Sequence, residues 1–115
     1  MNTYDIRLFD RRVNFIGHDT ERILALSKSS VLLHEYDHSI QLLESYMGEL
    51  NTLDRAVDKI VSERRKRRTP TELEENATKE FIQKYTALNA HIKEVIAIVE
   101  KRKKVLKSIA QTMAP

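Results

Sequence analysis

One pentapeptide of this chain has the letters of a hydrolytic metal centre. His34-Glu35-Tyr36-Asp37-His38 sets two imidazoles one helical turn apart, with a glutamate beside the first. On a helix, that spacing lets two histidines share a zinc ion while the glutamate activates water. Such a centre also needs a third ligand, an open coordination position and a cleft that excludes bulk water. His18 and His91 are the remaining histidines, and His91 is expected a couple of turns away. The apolar pattern puts Leu33 and Tyr36 in a buried seam, which turns His34 and His38 to the outer face. The expectation is therefore no metal, no cofactor and no catalytic residue, with an exposed metal site at His34 and His38 as the alternative.

The second concentration of chemistry is cationic. Arg64, Arg65, Lys66, Arg67 and Arg68 are consecutive. Clustered cations displace counterions from nucleic acid, and guanidinium groups bind phosphate through two parallel hydrogen bonds. No aromatic residue lies among them, so contact with backbone phosphates is expected, without base stacking. Two other readings fit the same residues. They can be a solvated helix end whose charge favours the helix dipole, or a nuclear localisation signal. Lys101, Arg102, Lys103, Lys104 and Lys107 form a second basic cluster. Its charge is expected to be used largely in salt bridges to Glu35 and Asp37, with Arg102 burying its stem in the seam and keeping its head in water.

The elements that must position these groups are helices. Among 115 residues there are two glycines and two prolines, too few to punctuate a many-stranded sheet. A hydrophobic content of 41% beside 32% charged residues is too apolar for disorder and too charged for a thick core. The absence of cysteine removes disulfides and thiolate chemistry, and fits a reducing compartment. No apolar run approaches the roughly 18 residues of a membrane span, and no signal-peptide core opens the chain. A cytoplasmic protein without membrane contact is the expectation. The net charge of +3 is mild, so its segregation into blocks matters more than its sum.

Two apolar runs alternate in steps of three and four. One is Leu33, Tyr36, Ile40, Leu43, Met47, Leu50, Asp54, Val57 and Val61. The other is Phe81, Tyr85, Leu88, Ile92, Val95, Val99, Arg102, Leu106, Ile109 and Met113. That period predicts a coiled coil. Between the runs, Thr69-Pro70-Thr71-Glu72 reads as a capping box. The sequence thus predicts one all-α domain over 1–115, a long antiparallel coiled-coil helical hairpin with arms of about 65 Å. Its elements are a short helix over 3–16, a long helix over 20–66 and a second over 70–113. Ile6, Phe9, Val13 and Ile16 define the short helix, Gly17-His18 its stop, and it is expected to fold on the open end over Ile23, Leu24 and Leu26. Ser27-Lys28-Ser29-Ser30 is a weak point where the long helix bends or begins again. Pairing about residues 67–68 sets Tyr36 near Val99 and Met47 near Leu88.

These residues resemble the N-terminal tRNA-binding arm of bacterial-type seryl-tRNA synthetases. Asp5-Ile6-Arg7-Leu8-Phe9 is similar to the family's opening, and Asp19 through Leu26 to the stretch that launches its long helix. Leu50 through Val61, followed by cations, resembles the approach to its tip, and Leu106 to Pro115 its exit. Asp10-Arg11-Arg12 stands where the family has Asn-Pro, the first long helix is about ten residues too long, and the exit lacks Pro-Asn. The resemblance spans the chain but includes no catalytic domain. It implies an arm, freestanding or detached, that binds structured, tRNA-like RNA and does not aminoacylate.

The leading functional expectation is accordingly a non-catalytic RNA-binding hairpin whose Arg64, Arg65, Lys66, Arg67 and Arg68 meet phosphates. The alternative is a coiled-coil adaptor, chaperone or scaffold subunit that pairs with a helical protein, or with a second copy in a four-helix bundle. Leu32, Leu42, Leu53, Ile82, Ile96 and Ile98, beside the seam, favour that alternative, because two helices alone leave part of them exposed.

Overall fold

The computed structural model describes the backbone of residues 3–113 and the side chains of 8–112. The side chains of Asp5, Ile6, Arg7 and Met113, and the last two residues, lie outside the described residues. They bear on the expected N-terminal stripe, the seam and the resemblance. The described residues form three helices: α1 over Thr3–Ser27, α2 over Leu33–Arg67 and α3 over Glu72–Met113. The described residues contain no strand. None of the three helices is long and apolar enough to cross a membrane.

The expected stop at Gly17-His18 does not occur, and α1 runs on to Ser27. Val13, Ile16, Thr20, Ile23 and Ser27 continue one buried stripe through the glycine in steps of three and four. Burial of that stripe outweighs the roughly 1 kcal/mol that glycine costs a helix interior. A Cβ at Gly17 would stand 3.9 Å from Leu88 Cδ1, an ordinary contact. Thr20 keeps its hydroxyl satisfied by donating to the Ile16 carbonyl at 2.7 Å. The first helix is thus 25 residues long, and it contains Ile23, Leu24 and Leu26 instead of covering them.

The break falls at 28–32, so the long helix expected from residue 20 begins at Leu33. Serines compete locally for backbone groups and make this the weak point. Ser27 Oγ donates to the Leu24 carbonyl, and Ser29 Oγ lies within reach of the Leu26 carbonyl. The last carbonyls of a helix have no partner within it. Here those of Ala25 and Leu26 are met by the amides of Lys28, Ser29 and Ser30, and that of Ser27, with the turn carbonyls of Lys28 and Ser30, is served from the other two helices. The Tyr36 hydroxyl lies 2.8 Å from the Ser27 carbonyl and 2.5 Å from that of Ser30. Arg102 donates to the carbonyls of Ser27 and Lys28 at 2.8 and 2.9 Å. The Arg102 head, expected in water, is instead a clamp on the turn.

The cap of α3 sits two residues later than expected. Thr71, not Thr69, precedes the helix, and its Oγ1 accepts the Glu74 amide at 3.2 Å while donating to the Glu74 carboxylate. Pro70 therefore lies outside the helix. Across the α2–α3 contact, Asp37 meets Lys103, Asp54 meets Tyr85 and Arg64 meets Glu74. Residue numbers fall along one helix as they rise along the other, and each pair sums to 138–140. Each partner on α3 lies three to five residues beyond the expected one, since the centre of the pairing, expected at 67–68, is shifted by about two residues. The later start of α3 moves the centre of the turn by that amount.

The helix α1 lies along the middle of the other two. Phe9 stacks on Phe81 with ring centroids 6.4 Å apart, Arg12 pairs with Glu49, and Asp19 with Tyr46. Glu21 faces His91, and Ser27 meets Arg102. Among the described residues, fourteen buried apolar side chains form one core, in which Ile16, Leu43, Val57, Ile92, Val95 and Val99 are fully enclosed. The described body measures 71 × 18 × 16 Å. Its middle is three helices thick, but its two ends are thinner.

Candidate interaction surfaces

At the basic tip the five cations separate into two kinds. Arg64 lies 3.4 Å from Glu74, Arg68 lies 3.0 Å from the same carboxylate, and Arg65 lies 3.9 Å from Glu75. Arg68, first, and Arg64 hold the Glu74 carboxyl below its ordinary range. The sequence placed Glu72, Glu74 and Glu75 at the start of α3, where the helix dipole favours them. The turn brings two of them against the arginines that end α2. Lys66 and Arg67 are exposed and have no carboxylate within ion-pair distance among the described residues. Below them lies an open groove of about 600 Å³ floored by Val61, Pro70 and Ile82. Its charged lining is Asp58, Glu74 and Glu75 against Arg64, Arg65 and Lys79, three against three. The groove is electrically balanced, and only the apex keeps surplus charge.

His34 and His38 are exposed, in agreement with the outer-face reading. They lie with Glu35 and Arg22 along a groove of about 500 Å³ between α1 and α2. Ser30 donates to the Glu35 carboxylate, and Arg22 is held by Asp19 at 2.6 Å. Among the described residues, no three His, Cys, Asp or Glu side chains gather in a way that could hold a metal ion. Through Arg22 the groove adjoins the contact between Asp19 and Tyr46. There, burial first and then the hydrogen bond to Asp19 push the Tyr46 hydroxyl up to about 12. Arg22 first, with help from Tyr46, draws the Asp19 carboxyl below its ordinary value. Arg12 does the same to Glu49 through a hydrogen bond, and its guanidinium lies 4.9 Å from the Phe15 ring centre. This network joins α1 to α2. Its charges are consumed internally.

The third surface is the outer flank of α3. Lys103 pairs with Asp37 as expected, but Glu35, the other carboxylate expected to meet the second basic cluster, is met by Ser30, and Arg102 holds the 28–32 turn. Lys101, Lys104 and Lys107 are left exposed without a carboxylate partner among the described residues. Beside them Ile98, Val105 and Ile109 are 42%, 52% and 48% exposed. Ile109, expected in the seam, has no helix to meet. At a register sum near 140, the first residue of α2, Leu33, stands opposite Lys107. Of the six apolar residues noted beside the seam, Leu53 is buried, Leu42, Ile82 and Ile96 are half-buried, and Leu32 and Ile98 are exposed. Val105 was not singled out by the sequence reading. Its seven-residue step from Ile98 was the available signal. Comparison with family models, curated proteins and solved structures found no match to this chain.

Proposed function

We propose that this chain is a non-catalytic protein-interaction subunit of the cytoplasm. It is an antiparallel coiled-coil hairpin, braced by α1, that recruits a helical partner. The observation that carries this reading is the exposed apolar flank of α3, where Ile98, Val105 and Ile109 recur at helical spacing. An α-helix advances 100° per residue, so the three lie within about 40° of one another. Large apolar side chains aligned on a rod of 18 × 16 Å cross-section mark a surface suited to a partner. The test is a chain carrying Ile98→Glu and Val105→Glu. Both positions are exposed, so circular dichroism should report an unchanged helix content. A protein bound stoichiometrically to the wild-type chain should be lost from the variant. Retention of that protein would sink the reading.

The second reading is RNA binding at the tip, resting on exposed Lys66 and Arg67 and on the resemblance to the seryl-tRNA synthetase arm. Three of the five cations are engaged by Glu74 and Glu75, which leaves fewer for phosphate. A structured RNA whose affinity falls steeply with salt, and falls again in Lys66→Ala/Arg67→Ala, would move the function to the tip.

A further inference from the structure

The far end of α3 differs from the rest of the rod in two independent ways. The first is geometric. The helix α1 ends at Ser27, which meets Arg102, and α2 begins opposite Lys107. The segment 108–112 consequently continues as helix with no second helix beside it, and every one of its side chains is exposed. An unsupported helix end is marginal in water, because helices in proteins draw most of their stability from packing an apolar face. The second difference is chemical. From Lys101 to Thr112 the sequence holds five cations and no carboxylate. Two cations are used within the fold, by Asp37 and by the carbonyls of the 28–32 turn. The other three, Lys101, Lys104 and Lys107, remain in solvent, Lys101 and Lys104 on the open side of Val105 and Ile109.

We infer that the C-terminal segment of α3, residues 98–112, docks an acidic amphipathic helix of a partner protein. This rests on the protein-interaction reading and names the chemistry of the partner. The strip from Ile98 to Ile109 is about 17 Å long, room for three turns of an opposing helix. Ile98, Val105 and Ile109 form the apolar seam. Lys101 borders that seam on the side away from the bundle core, with Lys104 beyond it. Ala97 and Ser108 lie on the same side and are small, which lets a partner backbone approach closely. On the core side of the seam Arg102 is already committed, so selection by charge comes from the open side. A partner with glutamates or aspartates flanking its apolar ridge matches this arrangement, and a lysine-flanked helix meets like charge. An anionic lipid surface offers the same sign of charge. However, the strip has only three exposed large apolar residues and no aromatic one, a small face for interfacial insertion.

The experiment uses the full chain and two fluorescent synthetic helical peptides with the same leucine heptads, one flanked by glutamate and the other by lysine. The glutamate peptide should bind at least about tenfold more tightly, with affinity falling as salt rises. Lys101→Glu/Lys104→Glu should reverse the preference, and Val105→Glu should weaken both peptides at unchanged helix content. Equal binding of the two peptides, or no binding of the glutamate peptide, overturns the inference. Binding to phosphatidylserine vesicles in preference to the glutamate peptide overturns it too, and assigns the strip to lipid. The two readings fail separately. A native partner lost on Ile98→Glu/Val105→Glu but kept on Lys101→Glu/Lys104→Glu preserves the protein-interaction reading and removes the acidic helix. A partner indifferent to both pairs removes both.

Discussion

The middle of this molecule and the far end of α3 are built from the same kind of sequence, yet they behave as different materials. Between Phe9 and Ser27, α1 closes the groove between α2 and α3, and Ile16, Leu43, Ile92 and Val95 lose all contact with solvent. Beyond Arg102 the heptad letters continue through Leu106 and Ile109, but Ile109 is about half exposed. An apolar residue contributes burial energy only where another surface meets it. The comparison shows that periodicity specifies a face, and the lengths of the neighbouring helices decide whether that face is covered.

The largest expected effect tests this contrast directly. Ile92→Ala should cost about 2–5 kcal/mol in denaturant unfolding, through lost burial and a residual cavity. Ile109→Ala should stay within about 0.5 kcal/mol, the usual range for a surface position. Similar losses at the two positions would break the comparison. Amide exchange should sharpen it, with slow exchange around Ile92 and fast exchange beyond Lys104.

A smaller effect is expected where α1 is fastened to α2. Tyr46→Phe removes the hydroxyl donated to Asp19 and should lower stability by about 1 kcal/mol, read from the same unfolding curves. The two fastened carboxylates also predict the acid response. Asp19 and Glu49 are held below their ordinary values, by Arg22 and Arg12 respectively. The unfolded chain therefore binds protons more readily than the folded one. Their stabilisation is complete above the ordinary carboxylate range and disappears as pH falls through the depressed values. Thermal midpoints should decline in acid, and Asp19→Asn/Glu49→Gln should flatten that decline. A decline of equal slope in the double variant would assign acid sensitivity elsewhere.

The smallest effect belongs to the tip. Thr71→Ala removes the acceptor for the Glu74 amide and should cost about 0.5–1 kcal/mol at this solvent-exposed cap. If Thr69→Ala instead gave that loss, the helix would start two residues earlier than the structure places it.

The sequence by itself determined that the chain is helical, that the two long helices part near Thr69–Thr71, that Ser27–Ser30 is a weak point, and that the seam runs through Leu43, Leu50, Ile92 and Val95. Tyr36 and Tyr85 read as seam residues and are buried. It also placed the cluster from Lys101 to Lys107 near Asp37, which Lys103 meets. These are local or near-periodic properties, fixed by 3.6 residues per turn and by the preferences of serine, threonine and proline. Tertiary structure decided the rest. Gly17 looked like a stop, because its local cost is visible in the sequence and the burial of Ile16, Thr20 and Ile23 is not. The five tip cations looked alike until the turn set Glu74 and Glu75 against Arg64, Arg65 and Arg68. His34 and His38 kept their metalloenzyme spacing in a groove where, among the described residues, no three metal-binding side chains gather. Ile109 carried the letter of a seam residue at a place where α2 had not yet begun. In each case the outcome depended on which side chain another helix brought near. That distance is not written in the spacing of either helix alone.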